Sequence, residues 1–360
     1  YKVAPLLAPR RKPCILPCRE SGATLRFLLP LVGALGINAV FHREGRLPQR
    51  PLEPLLAELV RHGMSATADG CDLHCQGQLR SGDYVLPGDV SSQFVSALLL
   101  ALPLLPGDST LTLTSAPESA PYIAMTEEVL AAAGISLYRT GSRYRIPGGQ
   151  RYRLPSHLTV EGDWSAAAFF LCVGAMSREG IAVDGLSLPT RQGDSALLPL
   201  LRQMGAEVNL SSGCITVRKG RLRATDIDAR PIPDLIPPLS VLAAAAEGGS
   251  HIQNARRLRY KESDRLQGIA ELLNSLGGCL TVDGDGLLIH GVSHLQGGTV
   301  DPMGDHRLAM SAALAALSAD APVTVRDADC VSKSYPAFWA DFQSLKGEAP
   351  CPAPSETPSV

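Results

Sequence analysis

The chain has 360 residues, 45% of them apolar and 19% charged, with a formal net charge of −2. That length exceeds what one hydrophobic core usually serves and predicts two domains. A near-neutral, ordinary globular composition excludes a bulk polyanion such as nucleic acid as the main partner.

In chain order, Tyr1 to Arg19 is basic and proline-containing, without clear periodicity. After it, a strongly apolar helix of small residues followed by a turn and a strand recurs five times, starting near Thr24, Ser91, Trp164, Asp234 and His306, about 70 residues apart. Between these lies a second module, an amphipathic helix closed by a glycine and followed by two short strands; Gly63, Gly134, Gly205 and Gly277 are the expected left-handed stops. Each unit is thus a buried helix, a strand, an amphipathic helix and a strand pair, in about four and a half copies. One such unit cannot bury its own apolar helix, so the copies must pack together with helices inside and sheets outside. The boundary is predicted near Pro155 to Glu161, giving one domain over 1–160 and another over 161–345; the competing architecture is a solenoid. The tail 346–360 is rich in Pro, Ser and Glu and is expected to be disordered.

No apolar run reaches the length of a bilayer span, and the run over 94–105 contains Pro103, so a membrane is not an expected partner. Of the nine cysteines, only Cys14/Cys18 and Cys71/Cys75 are four apart, and neither pair precedes a second pair at zinc-site spacing. An odd count and no secretory leader predict reduced thiols in the cytoplasm.

The stretch Arg259-Tyr260-Lys261-Glu262-Ser263-Asp264-Arg265-Leu266 carries most of the chemistry. Leu266, Ile269, Leu273 and Leu276 recur at helical spacing, which commits one face to packing. Ser263 is the expected N-cap and Asp264 suits the positive helix end. Lys261, Glu262 and Arg265 then crowd one helix N-terminus, where they could hold an anion and move a proton; the alternative is a solvated turn with a surface ion pair. Polar residues recur at the same helix ends in the other copies: Arg26; Ser91, Ser92 and Gln93; Asp163; Asp234; Asp305, His306 and Arg307. Simple capping by the serines and aspartates, ion pairing of Arg26 and Arg307 with loop carboxylates, and a structural His306 are the alternatives. Two loops add Arg43, Arg46 and Arg50 ahead of Pro51, and Lys333 within Ser332-Lys333-Ser334-Tyr335-Pro336. A nucleophile motif, a phosphate-binding glycine loop and a metal constellation are missing from the sequence. The combination favours transfer chemistry on small anionic molecules by positioning and proton transfer.

Six segments, in order, resemble the motifs of the 5-enolpyruvylshikimate-3-phosphate synthase family: Glu20-Ser21-Gly22-Ala23-Thr24-Leu25-Arg26-Phe27, Arg46-Leu47-Pro48-Gln49-Arg50-Pro51, Val90-Ser91-Ser92-Gln93-Phe94, Lys261-Glu262-Ser263-Asp264-Arg265, Gly304-Asp305-His306-Arg307-Leu308-Ala309-Met310 and Ser332-Lys333-Ser334-Tyr335-Pro336. The resemblance covers residues from about 18 to 343. It implies an α/β fold, a two-lobe inside-out α/β barrel of repeated βαβαββ units, and transfer of the enolpyruvyl group from phosphoenolpyruvate to the 5-hydroxyl of shikimate 3-phosphate. By the same resemblance the enzyme needs no metal or organic cofactor, and a cytoplasmic monomer is expected. Gly22, Arg50, Arg265, Arg307 and Lys333 would hold phosphoenolpyruvate. Ser91, Ser92, Gln93, Ser119 and Lys261 would hold shikimate 3-phosphate, and Arg257 stands where the family often has a substrate-contacting asparagine. Asp234 would take the proton of the attacking hydroxyl, and Glu262 would donate to the methylene carbon. The family's first repeat, with its Lys-Ser-x-x-x-x-Arg motif, has no counterpart in Tyr1 to Arg19, so the first lobe is expected to hold two units in place of three and to expose apolar helix surface; an inactive truncated form is the alternative to a working enzyme. The other readings are the sister transferase acting on a UDP-sugar, whose cysteine has no equivalent in His42 to Arg50, and a non-catalytic remnant of the repeat.

Overall fold

Small apolar residues recur as helices, and short β-branched runs as strands, throughout the computed structural model, which describes residues 13–211 and 213–345. The predicted tail 346–360 and the first twelve residues lie outside the described residues. The first unit runs β1 (Cys14–Arg19), α1 (Gly22–Ala34), β2 (Ala39–Arg43), α2 (Leu55–Arg61), β3 (Met64–Asp69) and β4 (Asp72–Gly77). The second repeats it as β5 (Asp83–Leu86), α3 (Ser92–Ala101), β6 (Ser109–Leu113), α4 (Ala120–Ala132), β7 (Tyr138–Thr140) and β8 (Arg143–Ile146). The third is α5 (Trp164–Met176), β9 (Ile181–Asp184), α6 (Leu197–Gln203), β10 (Glu207–Ser211) and β11 (Cys214–Arg218). The fourth is β12 (Ile227–Asp228), α7 (Ile236–Ala244), β13 (Gly249–Gln253), α8 (Arg265–Ser275), β14 (Cys279–Asp283) and β15 (Gly286–His290). The fifth comprises β16 (Gly298–Val300), α9 (His306–Ala315), β17 (Val323–Val325) and α10 (Phe338–Ser344).

In the first, second and fourth units the strand before the buried helix pairs parallel with the strand after it, and the closing hairpin adds antiparallel, giving the orders β1-β2-β4-β3, β5-β6-β8-β7 and β12-β13-β15-β14. Parallel neighbours need a crossover, and the buried helix supplies it. The third unit departs from this plan, with only β10-β11-β9. Its leading segment around Leu154, Leu158 and Val160 forms no strand; Pro155 cannot donate to a ladder, and those three side chains are exposed without a packing partner. The fifth unit pairs β16 and β17 alone, matching the half copy counted in the sequence.

The core falls into two large groups. One is built from Cys18 through Ile146 around α1 and α3, the other from Trp164 through Ala315 around α5, α7 and α9. Phe27, Leu28 and Leu31 on α1 are only half-buried. The sheets lie outside these helices, so the helix N-termini of both halves are free to meet at one place. No helix among the described residues is long and apolar enough to cross a membrane.

Candidate active site

The caps sort the acidic residues into three kinds. Asp163 accepts from the backbone N–H of Ser165 and Ala166 and is a cap only. Asp305 caps α9 through the Arg307 N–H but also faces two side chains of the fourth unit. Asp234 caps nothing: it sits in a 3-10 turn, Pro233–Leu235, while Pro237 and Pro238 set the start of α7. The expected capping of α8 is corrected in the same way. Asp264, not Ser263, accepts from Gln267 N, because the Ser263 hydroxyl is turned inward to donate to Asp305 Oδ2 at 3.0 Å. Leu266, Ile269, Leu273 and Leu276 are all buried, as the spacing predicts.

Arg265 is the hub. Its Nε donates to Asp305 Oδ2 at 2.8 Å, Nη1 to Asp234 Oδ1 at 2.9 Å and Nη2 to Glu262 Oε2 at 2.7 Å. Its side chain is 1% exposed and that of Asp305 0%. Three carboxylates around one fork-shaped cation fix the direction in which Asp234 and Glu262 face. Lys261 Nζ reaches Asp234 Oδ1 at 3.2 Å, and Arg307 lies 3.6 Å from the same oxygen, donating from Nη1 to the Asp234 carbonyl.

Two adjoining cavities open beside this cluster. One, of about 510 Å³, is lined by Ser91, Ser92, Gln93, Ser119, Arg257, Lys261, Asp234 and Arg50 among others. The second, of about 640 Å³, is lined by Gly22, Arg50, Gln93, Asp234, Lys261, Glu262, Arg265, Arg307 and Lys333 among others. Every residue to which the family resemblance gives a site role lines one of the two, whereas Asp163, Asp305, Arg43 and Arg46, singled out as polar helix-end or loop residues, line neither. Arg50, Gln93, Asp234 and Lys261 line both and form the wall the cavities share.

Local geometry explains how each side chain arrives. Ser91 caps α3, leaving Gln93 to accept from Arg26 Nη1 at 2.8 Å. Arg26, for which an ion pair with a loop carboxylate was the alternative, instead donates to Gln93 and the Pro51 carbonyl and lies over the Phe94 ring. At Gly22 an added Cβ would lie 3.2 Å from the guanidinium nitrogens of Arg26 and Arg50, so a side chain there would crowd both cations. Ser119 holds a left-handed backbone, φ 51, at the start of α4, an uncommon state for a non-glycine residue. Its hydroxyl accepts from Arg257 Nη1 at 2.7 Å and donates to the Arg230 carbonyl at 3.2 Å.

Burial alone pushes the Asp234 carboxyl up, but Arg307, Lys261 and Arg265 outweigh it and hold the group well below the usual carboxylate range. Glu262 follows the same pattern, burial opposed by Arg265, Arg50 and Lys261, and is also held low. Lys261 is lowered, by burial first and by Arg265, against the pull of Asp234. His306, with Nδ1 buried and without a partner, is pushed down to about 4 by burial, Arg265 and Arg307, and stays neutral. The cluster thus presents two carboxylates held ionised within a cationic surround.

Sequence reasoning left out several neighbours. Tyr122 donates to Asp234 Oδ2 at 3.3 Å, and Glu118 lies 3.5 Å from Arg257. Asp194, buried in the third unit, accepts a hydrogen bond from the Ser165 hydroxyl and is pushed up to about 6 by burial and by Asp234. The signal for Tyr122 was available, three residues beyond Ser119 in the same segment; nothing in the local sequence marks Asp194.

The sequence profile described as EPSP synthase (3-phosphoshikimate 1-carboxyvinyltransferase) matches residues 3–342. The 3-phosphoshikimate 1-carboxyvinyltransferase of Clostridium kluyveri is 41% identical over 336 residues, covering 92% of this chain and 78% of that protein. That of Clostridium perfringens is 40% identical over 337 residues, covering 92% and 79%. A solved EPSP synthase of Acinetobacter baumannii superposes with a TM-score of 0.73 at 27% identity, covering 93% of this chain and 79% of that one.

Proposed function

We propose, for a chain that belongs to the EPSP synthase (3-phosphoshikimate 1-carboxyvinyltransferase) family, an enolpyruvyl transfer carried out where its two cavities meet. The chain is a transferase of the shikimate pathway: it moves the enolpyruvyl group of phosphoenolpyruvate to the 5-hydroxyl of shikimate 3-phosphate and releases phosphate. The observation that carries the assignment of residues is the split of the lining. The groups expected to hold shikimate 3-phosphate border the first cavity, those expected to hold phosphoenolpyruvate border the second, and Arg50, Gln93, Asp234 and Lys261 border both.

In this reading Ser91, Ser92, Gln93, Ser119, Lys261 and Arg257 hold shikimate 3-phosphate, and Gly22, Arg50, Arg265, Arg307 and Lys333 hold phosphoenolpyruvate, with Arg265 also bracing the carboxylates. Asp234 takes the proton of the 5-hydroxyl as that oxygen bonds to the central carbon of phosphoenolpyruvate. Glu262, once protonated, delivers its proton to the methylene carbon and takes one back from it as the C–O bond to phosphate breaks and the double bond is restored, while the proton held by Asp234 leaves on the departing phosphate. A carboxylate held low is a weak base and carries no proton to deliver. An anion arriving among Arg50, Arg265 and Arg307 counters the same charges that depress Glu262 and Asp234, so both become more basic only when phosphoenolpyruvate is bound. Proton transfer is thereby tied to occupancy.

The same reading makes residues 1–160 and 161–345 two lobes that close on the substrates, with the enzyme acting as a cytoplasmic monomer. The test is release of phosphate from phosphoenolpyruvate, followed with and without shikimate 3-phosphate. Release that needs both substrates supports the assignment. Release from phosphoenolpyruvate alone, or none at saturating concentrations of both, contradicts it.

A further inference from the structure

Lys333 does not reach into the second cavity unaccompanied. Its ammonium lies 2.8 Å from both carboxylate oxygens of Glu20, a residue more than three hundred positions earlier in the other half, and donates to the Gly304 carbonyl at 2.9 Å. Two features of the first unit aim Glu20 there. The β1/β2 register slips between Pro17 and Arg19, and Arg19 takes a left-handed φ of 49, which turns the chain just before Glu20. Gly45, itself at φ +55, leaves room for the carboxylate: a Cβ at that position would stand 2.7 Å from the Glu20 carboxyl carbon.

The chemistry of this placement is unusual for an anion site. Asp234, Glu262 and Asp305 are each bound to Arg265. Glu20 belongs to none of those pairs, and its charge is spent on a cation that the proposed function gives to phosphoenolpyruvate. A substrate carboxylate or phosphate that is to engage Lys333 must compete with Glu20 for it or share it.

We infer that Glu20 is a specificity-determining residue of the phosphoenolpyruvate side of the site, an internal carboxylate that competes with the substrate anion for Lys333 across the two halves. The inference rests on the reading that Lys333 holds phosphoenolpyruvate. Both partners are about one-third exposed, so solvent weakens the pair and a modest effect is expected.

The test uses Glu20→Gln, which keeps shape and removes charge, in the full chain. Phosphoenolpyruvate binding is titrated by calorimetry, and KM is measured for each substrate. Binding of phosphoenolpyruvate tightens by about threefold or more, the scale of one partly exposed ion pair, while the KM for shikimate 3-phosphate moves less. Lys333→Gln weakens phosphoenolpyruvate binding, and in that background Glu20→Gln loses its effect. Glu20→Asp, which withdraws the carboxylate by one methylene, falls between wild type and Glu20→Gln. Unchanged or weaker phosphoenolpyruvate binding in Glu20→Gln overturns the inference while leaving the reading of Lys333 intact. A Lys333→Gln protein that binds phosphoenolpyruvate as well as wild type overturns that reading, and the inference with it.

Discussion

Arg50 Nη1 lies 3.3 Å from Glu262 Oε1, so a guanidinium from the loop after β2 reaches the start of α8 in the other half. The side chains are only 10% and 20% exposed, and the contact joins the two cavities at their shared wall. Arg50 holds an extended backbone, φ −69 and ψ 139, as the following proline requires. Glu262 is therefore restrained from both sides of the cleft, by Arg265 on its own helix and by Arg50 opposite.

Replacing Arg50 by Gln removes one charge that holds Glu262 low and one that would hold phosphoenolpyruvate. The KM for phosphoenolpyruvate is expected to rise about tenfold or more, the cost of losing a charge-assisted contact, with a smaller change for shikimate 3-phosphate. Equal changes in both KM values would place Arg50 outside the phosphoenolpyruvate subsite.

Asp234→Asn and Glu262→Gln keep volume and remove proton acceptors. Each should lower turnover roughly 100-fold or more, the usual scale for a lost general acid or base. Turnover near wild type in both variants would remove the assigned roles.

The Arg265 hub is structural as well as chemical. Arg265→Met leaves Asp305, at 0% exposure, without its cation, and a lost partner in a buried pair costs about 3–5 kcal/mol. Urea unfolding should show a loss of that order. A loss below about 1 kcal/mol would mean that Asp305 finds another partner.

Asp194 gives a pH signature of the opposite sign to the paired carboxylates. Its folded pKa is raised to about 6 from an ordinary value of 3.8, so the fold prefers the protonated form. Its ionisation penalises stability above pH 6, and the penalty disappears as pH falls from about 6 to about 4. Asp194→Asn should therefore raise stability at pH 7.5 by up to about 3 kcal/mol, from two units at 1.36 kcal/mol each, with the gain shrinking toward zero at pH 4. A gain that does not change with pH would assign the effect to packing.

The repeat and the site were legible because their signals are local. Apolar helices with a polar start, a glycine closing each amphipathic helix and ordered charged segments stand in the sequence itself, and the residues of the family's motifs that were given site roles line the two cavities. What escaped depends on contacts between distant segments. Ser263 reads as a cap until Asp305, from another unit, claims its hydroxyl. Glu20 reads as a turn residue until Lys333 meets it from the other half. Asp194 reads as a loop acid until burial beside Asp234 raises its pKa.

The most direct test of the account is phosphate release measured for wild type and Asp234→Asn with each substrate alone and with both together. The account predicts release by the wild type only when phosphoenolpyruvate and shikimate 3-phosphate are both present, and a drop of about 100-fold in the variant. Release that ignores shikimate 3-phosphate, or that survives the loss of the Asp234 carboxylate, would contradict the claim that transfer occurs where the two cavities meet.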